Sequence, residues 1–195
     1  MKRFGFLLTL IISLTCMSCN SEKAKFDANL KQTCKSILQI SNVSEDVMEE
    51  LLTMYMEFDD EYVEADEDGS KVLSKIFDEA QRNGAFDEIN QYKDEMMDSF
   101  SKMSNPPASR QKCYDDLQQL IDTVNQYVEK ITTKPSDGFS FLEGINDTEE
   151  LVSSALNSFF EQHVQYLGNI DELFDDIVFK HDAKPAIYPL KDEVM

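Results

Sequence analysis

The chain has 195 residues, with 38 Asp and Glu against 18 Lys and Arg, which gives a formal net charge of −20. A charge this negative argues against nucleic acids and anionic lipid head groups as partners, because both are polyanions. Few glycines and prolines, no tryptophan and many Leu, Met, Glu and Lys residues favour helix over strand. The length fits one compact domain or two small ones.

The N-terminus has the layout of an export signal. Basic residues at Lys2 and Arg3 precede an apolar segment that runs from Phe4 to Met17, and the chain turns polar after Cys19. A basic start, an apolar middle and small residues before a cut are typical of a secretory signal. The apolar run is shorter than the roughly 20 residues that a permanent membrane helix needs. The sequence therefore predicts a cleaved signal peptide over residues 1–18.

With Ser18 directly before Cys19, this segment resembles the signals of bacterial lipoproteins, whose first mature cysteine carries a thioether-linked lipid. The resemblance extends from Met1 to Glu22. It implies lipidation at Cys19 and a place in the cell envelope, in the periplasm or on the cell surface. Cys16 stands where that pattern usually has Leu, and Cys16 is itself the alternative lipid site. A plain secretory signal is the other reading.

Two further cysteines, Cys34 and Cys113, remain in the mature chain, which runs from Cys19 to Met195 and keeps 16 basic against 38 acidic side chains, or −22. If Cys19 carries the lipid, these two are the only cysteines left in the mature chain, and an even number of cysteines in an exported protein favours one disulfide. The bridge would close a separation of 79 residues (113 − 34), for which chain entropy gives about 4.5 kcal/mol of stabilisation. The alternative is a pair of buried free thiols that act as small hydrophobes.

Apolar residues recur at spacings of three and four along nearly the whole mature chain, which predicts helices. Asn83-Gly84 lies inside one of these periodic segments and predicts either a helix C-cap or a kink. The first expected helix covers 23–40 and ends at Ser41-Asn42, and the second covers 45–64 and is capped by Ser44. A helical segment over 70–103 and a helix over 107–132 follow. The last expected helix has about 30 residues, begins at Asp147 or Thr148 and continues through Gly168.

Helices with short connections predict an all-α fold, an antiparallel bundle of about five helices in which the last two form a hairpin. The long connection over 133–147 contains large apolar residues and is expected to pack on the helices. The expected organisation is a signal peptide over 1–18, a tether over 19–25, the bundle over 26–181 and an extended tail over 182–195.

The acidic run over 59–68, which ends at Gly69, fails the test for an EF-hand. Its twelfth position would be Lys75, where a bidentate Glu is needed, so we expect a solvated helix end. His163 lies on the apolar stripe of the last helix and lacks the Glu-x-x-His pattern of di-iron bundles. It is expected to be a hydrogen-bonded core histidine, and His181 is assigned no role.

The sequence contains no phosphate-binding glycine loop, no zinc motif and no nucleophile elbow. We therefore expect no catalytic, cofactor or metal site. Methionine and aromatic residues at helical spacing predict core packing, with an apolar groove as the alternative. These residues are Met54, Met56, Tyr92, Met96, Met97, Phe100 and Met103.

Together these features predict a lipid-anchored, non-enzymatic binding or structural module that contacts the membrane only through its lipid. The negative charge favours a basic protein partner, and one version is an inhibitor or immunity protein that blocks a basic enzyme. The remaining alternative is a metal-handling or enzymatic bundle whose ligands converge only in three dimensions.

Overall fold

The computed structural model describes the backbone of residues 2–56, 69–168 and 173, and the side chains of these residues except 2–20, 138–140 and 142–149. The described residues form helices and no strand, so the predicted all-α class is confirmed. The predicted tail over 182–195 lies outside the described residues. The helices are α1 (Lys2–Met56), α2 (Ser70–Arg82), α3 (Asp87–Ser101), α4 (Gln111–Thr132, preceded by a 3₁₀ turn at Ala108–Arg110) and α5 (Gly138–Leu167).

The helix α1 is continuous over 55 residues. The predicted break at Ser41-Asn42 is wrong, and Ser44 does not cap a second helix. Ser44 is fully buried and Val43 and Val47 are 6% and 7% exposed, so this stretch lies in a helix interface. Serine and asparagine cost a helix only a few tenths of a kcal/mol each. Burying each valine contributes about 1.5–3 kcal/mol, which outweighs that cost.

The start of the described core lies well inside α1. Residues 19–25, the predicted tether, are helical and belong to α1. Residues 21–25 are exposed or half-buried, and Phe26 is the first residue of the described core. The predicted beginning of the bundle at residue 26 thus coincides with the first buried side chain that the structure describes.

The segment predicted over 70–103 is divided into α2 and α3 at Gly84. Gly84 has a φ of +76°, a region that favours glycine. The amide of Ala85 donates to the carbonyl of Ala80, and the amide of Gly84 donates to the carbonyl of Gln81. These two bonds form a Schellman motif, which ends α2. Of the two alternatives for Asn83-Gly84, the C-cap is therefore correct.

The last two helices differ from the prediction mainly at their ends. The helix α4 begins at Gln111, four residues later than predicted, and ends at Thr132 as predicted. The helix α5 begins at Gly138, so most of the predicted loop over 133–147 is helical. Phe141 in this stretch is buried, and its ring lies 5.6 Å from that of Phe77 in α2, which confirms that the stretch packs on the helices.

The helix α5 ends at Leu167, and the predicted continuation through Gly168 is wrong. Gly168 has a φ of +74° and is not helical. In the sequence the apolar period continues past this point with Ile170, Phe174 and Ile177, which lie outside the described residues. The periodic pattern therefore did not predict the helix end at this positive-φ glycine.

One core holds the described helices together, with α1 in contact with each of the other four. A buried polar contact joins α1 to α3, where the hydroxyls of Thr33 and Ser99 are 2.8 Å apart. The helices α4 and α5 are antiparallel, because Asp116 near the start of α4 meets His163 near the end of α5. This contact confirms the predicted hairpin.

Candidate functional site

Polar side chains from three elements meet where α4 begins and α5 ends. The guanidinium of Arg110 donates from two nitrogens to both carboxylate oxygens of Asp27 in α1, at 2.8 and 2.9 Å. The same guanidinium lies over the ring of Tyr166 in α5, 3.8 Å from its centroid. We call Asp27, Arg110 and Tyr166 the arginine junction. Its paired hydrogen bonds and cation–π contact tie α1, the 3₁₀ turn and α5 together.

His163 lies one helical turn before Tyr166 and is only 3% exposed. Its Nε2 is 2.7 Å from a carboxylate oxygen of Asp116, and its ring lies tilted by 48° against that of Phe159, with centroids 4.8 Å apart. The other ring nitrogen, Nδ1, is buried without a hydrogen-bond partner among the described residues. The predicted hydrogen-bonded core histidine is confirmed.

The carboxylate of Asp116 is also held by Lys112, one turn earlier in α4. Burial by itself would raise the pKa of Asp116, but hydrogen bonds from Lys112 and His163 outweigh that effect and lower the pKa. Asp116 is therefore ionised at neutral pH and accepts hydrogen bonds from two sides. Together these contacts fasten the open end of the α4–α5 hairpin.

Cys34 in α1 and Cys113 in α4 are buried free thiols, with 0% and 1% exposure. Burial raises the pKa of Cys34 far above its usual value, and the nearby Cys113 raises it further. Burial raises the pKa of Cys113 to about 12, although Arg110 acts in the opposite direction. Both thiols are therefore protonated near neutral pH and are weak nucleophiles. The predicted core positions of both residues are confirmed, and the predicted disulfide is absent from this structure.

A second polar site was not predicted from the sequence. A cavity of about 600 Å³ opens between the first turns of α2 and the connection from α4 to α5. We call it the basic cavity, because three lysines, Lys71, Lys75 and Lys134, are among the residues that line it. Ser70, Ser74 and Ser136 also line it, and no described carboxylate is part of the lining.

The surroundings of the basic cavity contain some compensating charge. The ammonium of Lys134 is 3.5 Å from a carboxylate oxygen of Asp78, in a solvent-exposed ion pair. Lys71 and Lys75 also have contacts within the protein. The spacing of Lys71 and Lys75 by one turn was visible in the sequence. The sequence did not show that Lys134, in the connection that follows α4, lies close to these two lysines.

Several predicted candidates lie outside the described residues, including the acidic run over 59–68 and His181. Cys19 lies in α1, and its side chain is not described. Among the methionines, Met96 and Met103 are buried, which confirms core packing for these two, whereas Met56 and Met97 are exposed.

Within the described ranges, no three His, Cys, Asp or Glu side chains converge in a way that could hold a metal ion. The same ranges include no helix with the length and hydropathy that crossing a membrane requires. Comparisons with family models, curated proteins and solved structures found no match for this chain. The function is therefore argued from its own residues.

Proposed function

We propose that this chain is a lipid-anchored protein of the bacterial cell envelope that acts as a non-enzymatic binding or structural module. One observation carries the proposal: Cys19 directly follows a signal-like apolar segment, and the described core begins only at Phe26. Cleavage before Cys19 would remove none of the described core. A lipid on Cys19 has enough buried CH₂ groups to hold a soluble bundle on a membrane.

The geometry of α1 supports an anchored module that presents its far end. Phe26 lies seven positions after Cys19, which is about 10 Å of helix at 1.5 Å per residue. Tyr55, near the other end of α1, is about 54 Å from Cys19 along the same helix. Tyr55 contacts Gly69, directly before α2. The start of α2, and with it the basic cavity, would therefore face away from the membrane.

The same proposal includes a disulfide between Cys34 and Cys113 after export. Both thiols are buried in facing helices and sense one another electrostatically. The oxidising envelope favours pairing of two such neighbouring cysteines. Because burial keeps both thiols protonated, the bond would form during folding, before the core closes around them.

The site of anchoring is tested by replacing each cysteine of the signal region separately. Cys19→Ala should move the protein from the membrane fraction to the soluble fraction and abolish incorporation of a labelled fatty acid. Cys16→Ala is the matched control, because it removes a thiol three residues away and should leave both readouts unchanged. The reverse pattern would assign the lipid to Cys16, and unchanged membrane partition in both variants would refute the lipid anchor.

A basic protein partner is the second candidate function, and the mature charge of −22 favours it. Electrostatic attraction of this kind speeds association and weakens as ionic strength rises. Crosslinking in intact envelopes, followed by recovery at low and at moderate salt, tests it. A basic protein recovered more strongly at low salt supports this function, and recovery of none at either salt concentration counts against it.

A further inference from the structure

The turn between α2 and α3 contains the one Asn-Gly pair of the sequence, Asn83-Gly84. In such a pair the backbone nitrogen of the second residue can attack the side-chain amide carbon of the first, because glycine has no Cβ to hinder the approach. The side chain of Asn83 is solvent-exposed and makes no hydrogen bond with the described residues. Gly84 is half-buried, so solvent has access to this pair.

The backbone at this pair is held less firmly than the interior of a helix. The nitrogen of Gly84 donates to the carbonyl of Gln81 at 3.3 Å, which is longer than the usual distance of about 2.9–3.0 Å. This bond and the bond from Ala85 to Ala80 are the last of α2, and helix ends fray. The ψ of Asn83 is −2°, so the attack requires ψ to rotate and these two bonds to open. Their position at the end of the helix makes this a local opening.

Gly84 cannot be exchanged without cost, so the helix end keeps this pair. Its φ of +76° is strained for any other residue. A Cβ at this position would also lie 2.8 Å from a carboxylate oxygen of Asp87. The Schellman motif that ends α2 therefore requires the same residue that leaves the amide of Asn83 open to attack.

We propose that Asn83 is a site of spontaneous modification, at which the folded protein exchanges a side-chain amide for a carboxylate without an enzyme. Hydroxide removes the proton of the Gly84 nitrogen, which then bonds to Cγ of Asn83. The side-chain nitrogen takes a proton from water and leaves as ammonia, which restores the hydroxide. Water then opens the succinimide ring, at Cγ to give isoaspartate or aspartate according to which of the two ring C–N bonds breaks. The net reaction consumes one water and releases one ammonia.

Isoaspartate would change the junction of α2 and α3. It adds one CH₂ to the main chain just before Gly84, so the two hydrogen bonds of the Schellman motif cannot both keep their geometry. Ala80 and Phe86 are buried on either side of this turn, and the rings of Phe86 and Phe77 stack with centroids 5.9 Å apart. The additional carboxylate also lies at the negative end of the α2 dipole, which is unfavourable. The modification therefore loosens the attachment of α3 to α2.

The test is incubation of the folded full-length chain, in mild detergent, at neutral and at mildly alkaline pH, followed by peptide mapping by mass spectrometry. Amide loss at Asn83 should increase with pH and be at least about tenfold faster than at the control asparagines, a barrier lower by about 1.4 kcal/mol. Isoaspartate, detected with an isoaspartyl methyltransferase, is the signature of the ring, because direct hydrolysis of the amide gives aspartate alone.

Asn90 and Asn105 are the internal controls, because both are solvent-exposed. Asn90 lies within α3 and is followed by Gln91, and Asn105 is followed by Pro106, whose nitrogen carries no hydrogen. Equal rates of amide loss at all three asparagines would overturn the proposal. Conversion of Asn83 that occurs only in urea-unfolded protein would overturn it as well, because the site would then not belong to the folded state.

Two variants separate the chemistry from the stability of the turn. Asn83→Gln keeps an amide but moves its carbon one bond further away, so amide loss should fall to the rate at the controls. Persistent loss at the rate of Asn83 would overturn the ring mechanism. Asn83→Asp has the charge without the additional CH₂, so the isoaspartate fraction, isolated by chromatography, should unfold at a lower urea concentration than this variant. Equal midpoints would overturn the loosening of the turn.

This inference does not depend on the lipid anchor. Cys19→Ala should release the protein from the membrane and leave the rate of conversion at Asn83 unchanged. Asn83→Gln should have the opposite pair of effects, so the two proposals fail separately.

Discussion

Arg110 and Asp27 form a two-point ion pair across 83 residues of sequence, with each carboxylate oxygen of Asp27 accepting from a different nitrogen of Arg110. Both side chains are partly shielded, at 15% and 27% exposure, so solvent screens this pair less than a surface bridge. The pair joins the membrane-proximal part of α1, in the proposed orientation, to the turn that starts α4. It is therefore the contact from which we expect the largest stability effect among the charged residues described.

Two replacements of Arg110 should destabilise the bundle to different extents. Arg110→Ala removes the paired hydrogen bonds and the contact with Tyr166, for an expected loss of about 2 kcal/mol in the free energy of unfolding. Arg110→Lys keeps the charge but lacks the fork, so its loss should be intermediate. Urea denaturation measures both. Arg82→Ala, at an exposed arginine, should cost less than about 0.5 kcal/mol, and an equal cost at both arginines would contradict this account.

The stability contributed by Asp116 should depend on pH. Because its folded pKa is lowered below the ordinary 3.8, its contribution is complete above pH 3.8 and is lost as pH falls through the lower folded value. Asp116→Asn should therefore cost about 1 kcal/mol at pH 7, and less as the pH falls below 3.8. Denaturation curves of both proteins at several pH values measure the difference.

Asp115→Asn is the matched control, since Asp115 is the exposed neighbour that accepts from Gln111 rather than from His163. We expect it to change stability by less than about 0.5 kcal/mol at pH 7. A cost for Asp116→Asn that stays constant down to low pH would show that its carboxylate charge is not what fastens the hairpin.

The contact between Thr33 and Ser99 should tolerate loss of the hydroxyl but not added volume. Ser99→Ala should cost no more than about 1 kcal/mol, because Thr33 can still donate to the carbonyl of Asn29. Ser99→Leu should cost about 3 kcal/mol, because it forces α1 and α3 apart. Thermal or chemical denaturation checks both. The control Ser101→Leu, exposed on the same helix, should be nearly neutral, and the idea of a close helix contact fails if both leucines cost the same.

The proposed disulfide predicts the state of the thiols in protein taken from the envelope. Denatured, unreduced protein should give no labelled thiol at Cys34 or Cys113, and two after reduction. Reduction should lower the free energy of unfolding by up to about 4.5 kcal/mol. The double variant Cys34→Ala with Cys113→Ala should not respond to reductant. Two labelled thiols before reduction would establish the buried free pair instead.

The sequence predicted the parts of this fold that depend on helical period alone. The class, the stripe that buries Cys34 and Cys113, the hairpin of the last two helices and the buried His163 all follow from apolar spacing. Helix ends were harder to predict. Ser41-Asn42 is an ordinary stop signal in isolation, and burial between helices overrides it.

The two glycines Gly84 and Gly168 show why such signals are ambiguous. Both have positive φ and both end a helix, yet only Gly84 was read as a C-cap candidate. At Gly168 the apolar period of the sequence continues on the far side, so the pattern did not indicate the helix end. The basic cavity was missed for another reason: Lys134 joins Lys71 and Lys75 only through tertiary structure, and no local pattern encodes that meeting.

The central position of α1 also sets an order of assembly. Helix α1 precedes the four helices that it contacts, so α2 and α3 find their surface on α1 already present, whereas α4 packs chiefly on α5, which follows it. Cys34 leaves the ribosome well ahead of Cys113 and has no partner thiol from the core until α4 appears. The hairpin of α4 and α5, by contrast, is complete only once the last of these helices is present.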